Sequence, residues 1–200
     1  MKNNNIFPVY DIIPRAEKEK FLNQNSRVIW FTGLSGAGKT TVSRVLEKEL
    51  FSKGFFCQIM DGDNIRSGIN NNLSFTEEDR KENIRRIAEI SKLYLYSGII
   101  TINSFITPTP EMRDIPRAII GKPDLIEVYI NAPLNVCEGR DVKGLYKKAR
   151  EGKIINFTGI DAPFIAPQNP ELVLHTDKFT VEQNVEQALD YLIPILTRKN

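Results

Sequence analysis

The feature that most constrains the fold is a glycine-rich loop that lies between an apolar run and a segment with helical spacing. The loop reads FTGLSGAGKTT over residues 31–41, and the apolar run before it covers residues 28–31. A buried strand that leads through a tight glycine turn into a helix is the first part of a βαβ unit. The chain is therefore predicted to build a parallel sheet covered by helices.

The rest of the chain repeats this alternation. Further strand-like runs cover residues 55–60, 99–105, 125–130 and 172–174. Helical patterns lie between and after them, over residues 39–53, 76–97, 111–120, 134–138, 145–151 and 181–196. Strands that alternate with helices indicate an α/β fold whose sheet, here of five strands, is parallel and buried on both faces.

Length and spacing suggest how the chain is divided. Two hundred residues suit one domain with a substantial core, which we assign to residues 27–200. Residues 1–26 carry FPVYDIIP and a short helical pattern, and we interpret them as an N-terminal arm that packs on the domain or on a second subunit. Residues 141–170 are interpreted as a lid, because a loop as long and aperiodic as 152–170 is usually functional or disordered.

Composition excludes several classes of partner. A net charge of +2 is too small to predict nucleic acid or an anionic membrane as a main partner. No apolar run approaches the ~18 residues of a membrane span, and the N-terminus lacks a signal-peptide pattern. Cys57 and Cys137 cannot form a disulfide framework or a CxxC metal site, so we expect a cytoplasmic protein.

The glycine-rich loop fits the phosphate-binding pattern known as the P-loop. Gly33 and Gly38 frame it, and Lys39 and Thr40 follow. Its backbone N–H groups can cradle phosphate oxygens, Lys39 can reach the β- and γ-phosphates, and Thr40 is placed to bind Mg²⁺. The predicted phosphate-binding residues are Gly33, Leu34, Ser35, Gly36, Ala37, Gly38, Lys39, Thr40 and Thr41. A chance glycine turn is the alternative, and the pattern alone does not separate kinase, GTPase and helicase.

Two carboxylates follow the second predicted strand. Asp61 and Asp63 should lie beside the P-loop, since ligands of open α/β sheets bind outside the carboxyl ends of the strands. They could hold Mg²⁺ and deprotonate an attacking hydroxyl, whereas an ordinary Asp-Gly turn is the alternative. Arg80 and Asn83 share one helix face. An arginine and an amide on one face suit a ligand that carries an anion and a flat base, and the alternative is an ordinary solvated helix face.

Together these segments resemble the adenylylsulfate kinases. The resemblance covers residues 27–196 and is carried by GLSGAGKTT, DGDNIR, FTEEDRKENIRR, SFITP and RDVKGLYKKAREGKIINFTGID. It implies a P-loop nucleoside- and nucleotide-kinase fold in three layers with a mobile lid, usually dimeric. It also implies transfer of the γ-phosphoryl group of MgATP to the 3′-hydroxyl of adenylylsulfate, giving 3′-phosphoadenylylsulfate and ADP in sulfate assimilation.

The resemblance also implies roles for single residues. Those implied for catalysis are Lys39, Asp61, Asp63 and Thr107, with Thr40 and Asp61 at the metal and Arg140 near the ATP adenine. Phe75 and Phe157 are expected to stack on the two faces of the acceptor adenine. The residues implied for acceptor binding are Asp63, Asn64, Ile65, Arg66, Phe75, Arg80, Asn83, Ile106, Thr107, Lys143, Asn156 and Phe157.

The chain departs from the family pattern at three places. Thr107 stands where many bacterial members have a serine that is regarded as a phosphorylation site, and Pro110 stands where many have an arginine. Arg113 is left as either a functional residue or a surface residue of a helix. Ile165 is apolar where members often carry an acid.

Two other functions stay open: a kinase for another small molecule, and a nucleotide-binding module without transfer activity.

Some residues have structural interpretations. We expect Trp30 and Cys57 in the core, Cys137 without a nucleophilic role, and His175 in a structural position at a strand end.

Overall fold

Five parallel strands form one sheet at the centre of the fold, in the spatial order β2-β3-β1-β4-β5. The structure is a computed structural model that describes residues 5–199. The strands are Val28–Thr32 (β1), Cys57–Asp61 (β2), Ile100–Ser104 (β3), Leu125–Asn131 (β4) and Leu172–His175 (β5). The strand that leads into the P-loop is therefore the central one, with Val28 in register with Thr101 of β3 and Leu125 of β4.

Helices cover both faces of the sheet. Those in the described part of the chain are Arg15–Leu22 (α1), Lys39–Ser52 (α2), Gly62–Ser67 (α3), Glu77–Tyr96 (α4), Pro110–Ile120 (α5), Leu134–Arg140 (α6), Leu145–Arg150 (α7) and Val181–Leu196 (α8). α2 and α8 pack together on one face, and α4 packs with α5 on the other. The three-layer α/β architecture predicted from the sequence is confirmed.

The central strand shows why its run of apolar residues is continuous. Ile29 and Phe31 belong to the core cluster beneath α2 and α8, whereas Val28 and Trp30 belong to the cluster beneath α4. Successive side chains of a strand point to opposite faces, so a strand covered on both sides must be apolar at every position. Trp30 is buried, as the sequence predicted.

All five predicted strands are present, and one helix was missed. α3, over Gly62–Ser67, occupies the place where the sequence suggested only an acidic turn. Asp61 caps this helix, because its Oδ1 atom accepts a hydrogen bond from Asp63 N at 3.1 Å. Six residues are too few to show a helical period, so the cap was the only available signal.

The N-terminal arm has two parts. α1 is attached to the body: Arg15 donates to both carboxylate oxygens of Asp124 at 2.8 and 2.9 Å. Gln24 is fully buried and donates to the carbonyls of Phe56 and Gly98. Residues 5–14, by contrast, contain no helix or strand and expose six large apolar side chains. Those side chains are Ile6, Phe7, Val9, Tyr10, Ile12 and Ile13.

The segment between α7 and β5 contains no helix or strand, apart from an isolated bridge between Thr158 and Ala162. It nevertheless packs on the core through Phe157, Ile160 and Phe164. Among residues 5–199 there is no helix with both the length and the apolar character that crossing a bilayer requires.

Candidate active site

The P-loop is held in place by side chains that donate hydrogen bonds to its carbonyl groups. Lys39 Nζ donates to the carbonyls of Gly33 and Leu34 at 2.9 and 2.8 Å. The next three carbonyls accept from Tyr146 Oη (Ser35, 2.9 Å), Arg140 Nη1 (Gly36, 3.1 Å) and Thr176 Oγ1 (Ala37, 2.6 Å). Five successive carbonyls are thus turned toward the protein.

Two N–H groups of the loop are left for another partner. Within residues 5–199 we find no protein acceptor for the N–H groups of Gly36 and Gly38. α2 begins directly after them, at Lys39, without a side-chain cap at its N-terminus. Unpaired N–H groups at the positive end of a helix dipole suit an anion, which is the kind of ligand that the sequence predicts for this loop.

Two glycines of the loop are required by close approaches. A Cβ atom at Gly33 would lie 2.5 Å from the carbonyl oxygen of Ile130, on the neighbouring strand β4. A Cβ atom at Gly36 would lie 2.8 Å from the carbonyl oxygen of Cys137, and the φ of Gly36 is +74°. The loop can therefore lie against β4 and α6 only with glycine at these positions.

Lys39 is buried beneath the loop. Burial lowers the pKa of its ammonium from 10.5 to about 8, although nearby Asp61 and Asp63 act in the opposite direction. The two loop carbonyls that it bonds stabilise the charge only in part. A phosphate group in the loop would supply the missing counter-charge.

The predicted metal residues lie next to each other. Thr40 Oγ1 donates to Asp61 Oδ2 at 2.7 Å, so hydroxyl and carboxylate oxygens meet at the first turn of α2. No group of three or more His, Cys, Asp or Glu side chains suitable for a metal occurs in residues 5–199. Two oxygen donors without a complete protein cage fit Mg²⁺, which keeps several waters and takes phosphate oxygens as further ligands.

Asp63 lies at the start of α3 and forms an ion pair with Lys143, which precedes α7. Both side chains are more than half exposed to solvent. The pair joins the acidic turn to the first part of the predicted lid. The structure thus brings together two of the residues expected at the acceptor.

Arg66 and Phe75 form a second contact near this turn. The Arg66 guanidinium carbon lies 4.4 Å from the centroid of the Phe75 ring, a cation–π distance, and Arg66 Nη1 donates to Ser74 O at 2.9 Å. The Phe75 side chain is 63% exposed, so much of it remains available to a ligand. Two further residues of α3 precede Arg66 in the chain. Asn64 is exposed, and Ile65 packs on the core beneath α4.

Arg80 connects α4 to the lid. Its Nε atom donates to the carbonyl of Phe75 at 2.9 Å, and its Nη2 atom donates to the carbonyl of Asn156 at 2.6 Å. Nη1 donates to Thr158 Oγ1 at 3.0 Å. Arg80 therefore joins the backbones that carry the two aromatic residues expected at the acceptor base.

The remaining acceptor residues are more deeply placed. Asn83 is buried, and its Oδ1 atom accepts from Asn70 Nδ2 at 3.0 Å. Phe157 is partly buried and meets Tyr146 edge-on, with ring centroids 5.0 Å apart. The stacking of Phe75 and Phe157 on a base stays a prediction.

Thr107 has no exposed surface. Its hydroxyl donates to Thr32 Oγ1 at 2.8 Å, and Thr32 in turn donates to the carbonyl of Thr107 at 3.2 Å. The half-buried Ile106 precedes it. In this arrangement the Thr107 hydroxyl does not reach an open pocket, which favours a structural role over phosphorylation.

Arg113 is buried, with 4% of its surface exposed, so the interpretation as a surface residue is wrong. Its Nη1 atom donates to the carbonyls of Thr107 and Ile165, each at 2.9 Å, and its Nε atom lies 3.4 Å from Glu127 Oε1. Ile165 N also donates to the carbonyl of Pro108 at 2.8 Å. The segment around Ile165 is thereby fixed to the loop after β3.

Several residues that support the site were not found from the sequence. Thr176 follows β5 directly, and the rule that ligands bind at carboxyl ends of strands could have indicated it. Tyr146 and Asp161 belong to the last segment that resembles the family, but no role was assigned to them because their partners lie elsewhere in the chain or depend on the shape of a turn. Thr41, although part of the predicted motif, is exposed on α2.

Cys57 lies in the core, as the sequence predicted, whereas the roles of Cys137 and His175 stay predictions. Cys57 and Cys137 are both buried, and burial raises the pKa of both thiols, that of Cys57 to about 12. A thiol that stays protonated is a poor nucleophile. His175 ends β5, and its Nδ1 atom lies 3.5 Å from Asn131 Nδ2.

A P-loop after the central strand of a parallel sheet, with an acidic helix cap beside it, defines the class of P-loop small-molecule kinases. The family model described as Adenylylsulphate kinase matches residues 25–175. The chain belongs to the adenylylsulphate kinase family.

Curated relatives and solved structures agree with this placement. The chain is 55% identical over 199 residues to the adenylyl-sulfate kinase of Bacteroides thetaiotaomicron, covering 99% of each chain. It is 52% identical to that of Clostridium kluyveri, covering 96% of each. It superposes with a TM-score of 0.81 on the structure of the Mycobacterium tuberculosis APS kinase CysC in complex with AMPPNP and APS, at 40% identity, covering 84% of this chain and 98% of the other.

Proposed function

We infer that the chain is an adenylylsulfate kinase, which transfers the γ-phosphoryl group of ATP to the 3′-hydroxyl of adenylylsulfate. The products are 3′-phosphoadenylylsulfate and ADP, and the place of the reaction is sulfate assimilation. The observation that carries the inference is membership of this family across the P-loop, the acidic turn and the lid. The geometry of those three parts supports a mechanism.

The donor side is built for a polyphosphate. The free N–H groups of the P-loop and the buried ammonium of Lys39 would offset charge on the β- and γ-phosphates. We propose that Arg140, which already supports the loop through Gly36, also borders the ATP adenine. Phosphoryl transfer depends mainly on such positioning and charge neutralisation.

Thr40 and Asp61 would hold Mg²⁺, which supplies charge neutralisation between the β- and γ-phosphates when it is bound. Their hydrogen bond keeps both oxygen donors at the mouth of the loop. Asp61 also caps α3 through the N–H of Asp63, so the same side chain orients the acidic turn.

On the acceptor side, Asp63 would accept the proton of the 3′-hydroxyl. It is paired with Lys143, and an entering acceptor would redirect Lys143 to its own anionic group. The other residues would recognise adenylylsulfate through stacking, charge and shape. They are Asn64, Ile65, Arg66, Phe75, Arg80, Asn83, Ile106, Asn156 and Phe157, whereas the buried Thr107 would support the pocket without contacting the ligand.

The lid, residues 141–170, would close over both nucleotides and exclude water, which suppresses hydrolysis of ATP. We further propose that the protein is a homodimer and works in the cytosol. Exposed apolar side chains on residues 5–14 support the homodimer. Two buried cysteines without a disulfide support the cytosolic location.

An acceptor panel tests the proposed function. ADP release from MgATP would be measured with adenylylsulfate, AMP, adenosine, a deoxynucleoside monophosphate and gluconate as acceptors. We expect adenylylsulfate to be preferred by orders of magnitude in kcat/KM, and Lys39→Ala to lower turnover by orders of magnitude while the protein stays folded. Preference for another acceptor, or ADP release that no acceptor stimulates, would reject the proposal.

A further inference from the structure

Residues 156–162 of the lid form a closed turn that is organised by one carboxylate. Asp161 Oδ2 accepts from Asn156 N at 2.6 Å, and Asp161 Oδ1 accepts from Phe157 N at 2.5 Å. The carbonyl of Phe157 accepts in return from the N–H groups of Ile160 and Ala162 at 3.0 and 3.2 Å. The hydrogen bonds that close the turn therefore all involve the backbone of Asn156 or Phe157.

The peptide group between Asn156 and Phe157 is held on both sides by opposite charges. Its carbonyl oxygen accepts from Arg80, and its N–H group donates to Asp161. Asn156 has a φ of +57°, a left-handed conformation that a residue other than glycine adopts only with support. The two charged side chains supply that support and fix the plane of this peptide.

The plane of this peptide controls where the Phe157 ring points, since the side chain is attached to the next atom of the backbone. The ring packs edge-on against Tyr146, whose hydroxyl bonds the P-loop carbonyl of Ser35. Asp161 itself is exposed. Its bonding therefore serves the turn and not the burial of the carboxylate.

We propose that Asp161 is a positioning residue for the acceptor: it fixes the peptide before Phe157 and so holds the aromatic ring where the acceptor adenine stacks. This inference rests on the proposed function and on the role proposed for Phe157. Asp161 makes no contact with reacting atoms in this scheme, so its removal should affect acceptor binding more than turnover.

Asp161→Asn tests the inference, because an amide offers one acceptor oxygen and places an N–H₂ group against a backbone N–H. We expect KM for adenylylsulfate to rise about tenfold, the effect of one lost charge-assisted hydrogen bond. KM for ATP and kcat should change much less. Glu151→Gln, which removes the same charge from an exposed lid position, is the matched control and should leave all three unchanged.

A double-mutant cycle separates positioning from a general structural role. In a Phe157→Ala background, Asp161→Asn should cause little further rise in KM for adenylylsulfate, because there is no ring left to position. The same fold-increase in both backgrounds would overturn the proposal. So would an unchanged KM in Asp161→Asn, or a raised KM in Asp161→Asn beside an unchanged KM in Phe157→Ala.

Hydrogen exchange of the ligand-free protein supplies a readout that does not require activity. Asp161→Asn should accelerate exchange at the amides of Asn156 and Phe157 and leave the amides of β1 protected. If the wild-type protein fails to phosphorylate adenylylsulfate, the proposed function is rejected, whereas this exchange result still decides whether Asp161 fixes the turn. Unchanged exchange at both amides would overturn the positioning role.

Discussion

At the scale of single residues, Lys39 has the environment with the clearest consequence for binding. Burial lowers the pKa of its ammonium to about 8, so the side chain is largely deprotonated above that pH. Phosphate groups in the loop favour the charged form and should return the proton. We expect ATP binding at pH 9 to take up about one proton, and much less at pH 6.5.

Calorimetry of ATP binding in buffers of different ionisation enthalpy measures this uptake, with Lys39→Met as the control that should show none. The same shift affects stability. Between pH of about 8 and 10.5 the unfolded chain holds a proton on Lys39 that the folded chain has lost, so the stability of the wild type relative to Lys39→Met should rise with pH in that window. Equal uptake at both pH values would contradict the burial of this charge.

Asp63 is predicted to act on the acceptor and not on the donor. Asp63→Asn removes the proton acceptor and the ion pair with Lys143 but leaves the P-loop contacts intact. We expect kcat to fall by ~10²–10⁴-fold, the usual contribution of general-base catalysis, with ATP affinity nearly unchanged. Steady-state rates combined with ATP titration check this, and a loss confined to ATP affinity would assign Asp63 to the donor site.

At the scale of elements, the sequence was sufficient wherever a segment was long and periodic. β1 and α4 could be predicted because buried strands are continuously apolar and α4 has an N-terminal threonine cap followed by acids. α3 could not, since six residues carry no measurable period. In the site, the motifs predicted Lys39 and Thr40, whereas the burial of Arg113 depends on partners far along the chain.

Helix α5 is attached to the sheet and to the lid by Arg113. Arg113→Met would leave Glu127 buried with Arg117 as its remaining cation and would free the carbonyl of Ile165. Breaking a buried pair usually costs 3–5 kcal/mol, and because Arg117 remains we expect destabilisation of about 3 kcal/mol in urea unfolding. Burial raises the pKa of Glu127, which is consistent with a carboxylate that depends on nearby cations.

Arg85→Met on α4 is the matched control, because Arg85 pairs with Glu82 on an exposed helix surface. Exposed pairs contribute ~0–1 kcal/mol, so this variant should unfold close to the wild type. Equal stabilities of the Arg113 and Arg85 variants would contradict the role of Arg113 as an anchor.

At the scale of the whole molecule, the unpacked part of the arm has a testable consequence. Residues 5–14 expose apolar side chains that a second copy of the chain would cover in the proposed homodimer. We expect the full chain to run as a dimer in size-exclusion chromatography with light scattering. A variant lacking residues 1–13 should form a weaker dimer, which dissociates into monomers at protein concentrations where the full chain is still dimeric. Identical monomeric mass for both would reject the proposed role of the arm.

The position of the transferred phosphoryl group in the product decides whether the chain phosphorylates adenylylsulfate. The enzyme would be incubated with adenylylsulfate and MgATP, and the products would be analysed by ³¹P NMR and mass spectrometry. We expect one new phosphomonoester at the 3′-position of adenylylsulfate for each ADP formed. Phosphate released to water, or attached at any other position of the acceptor, would contradict it.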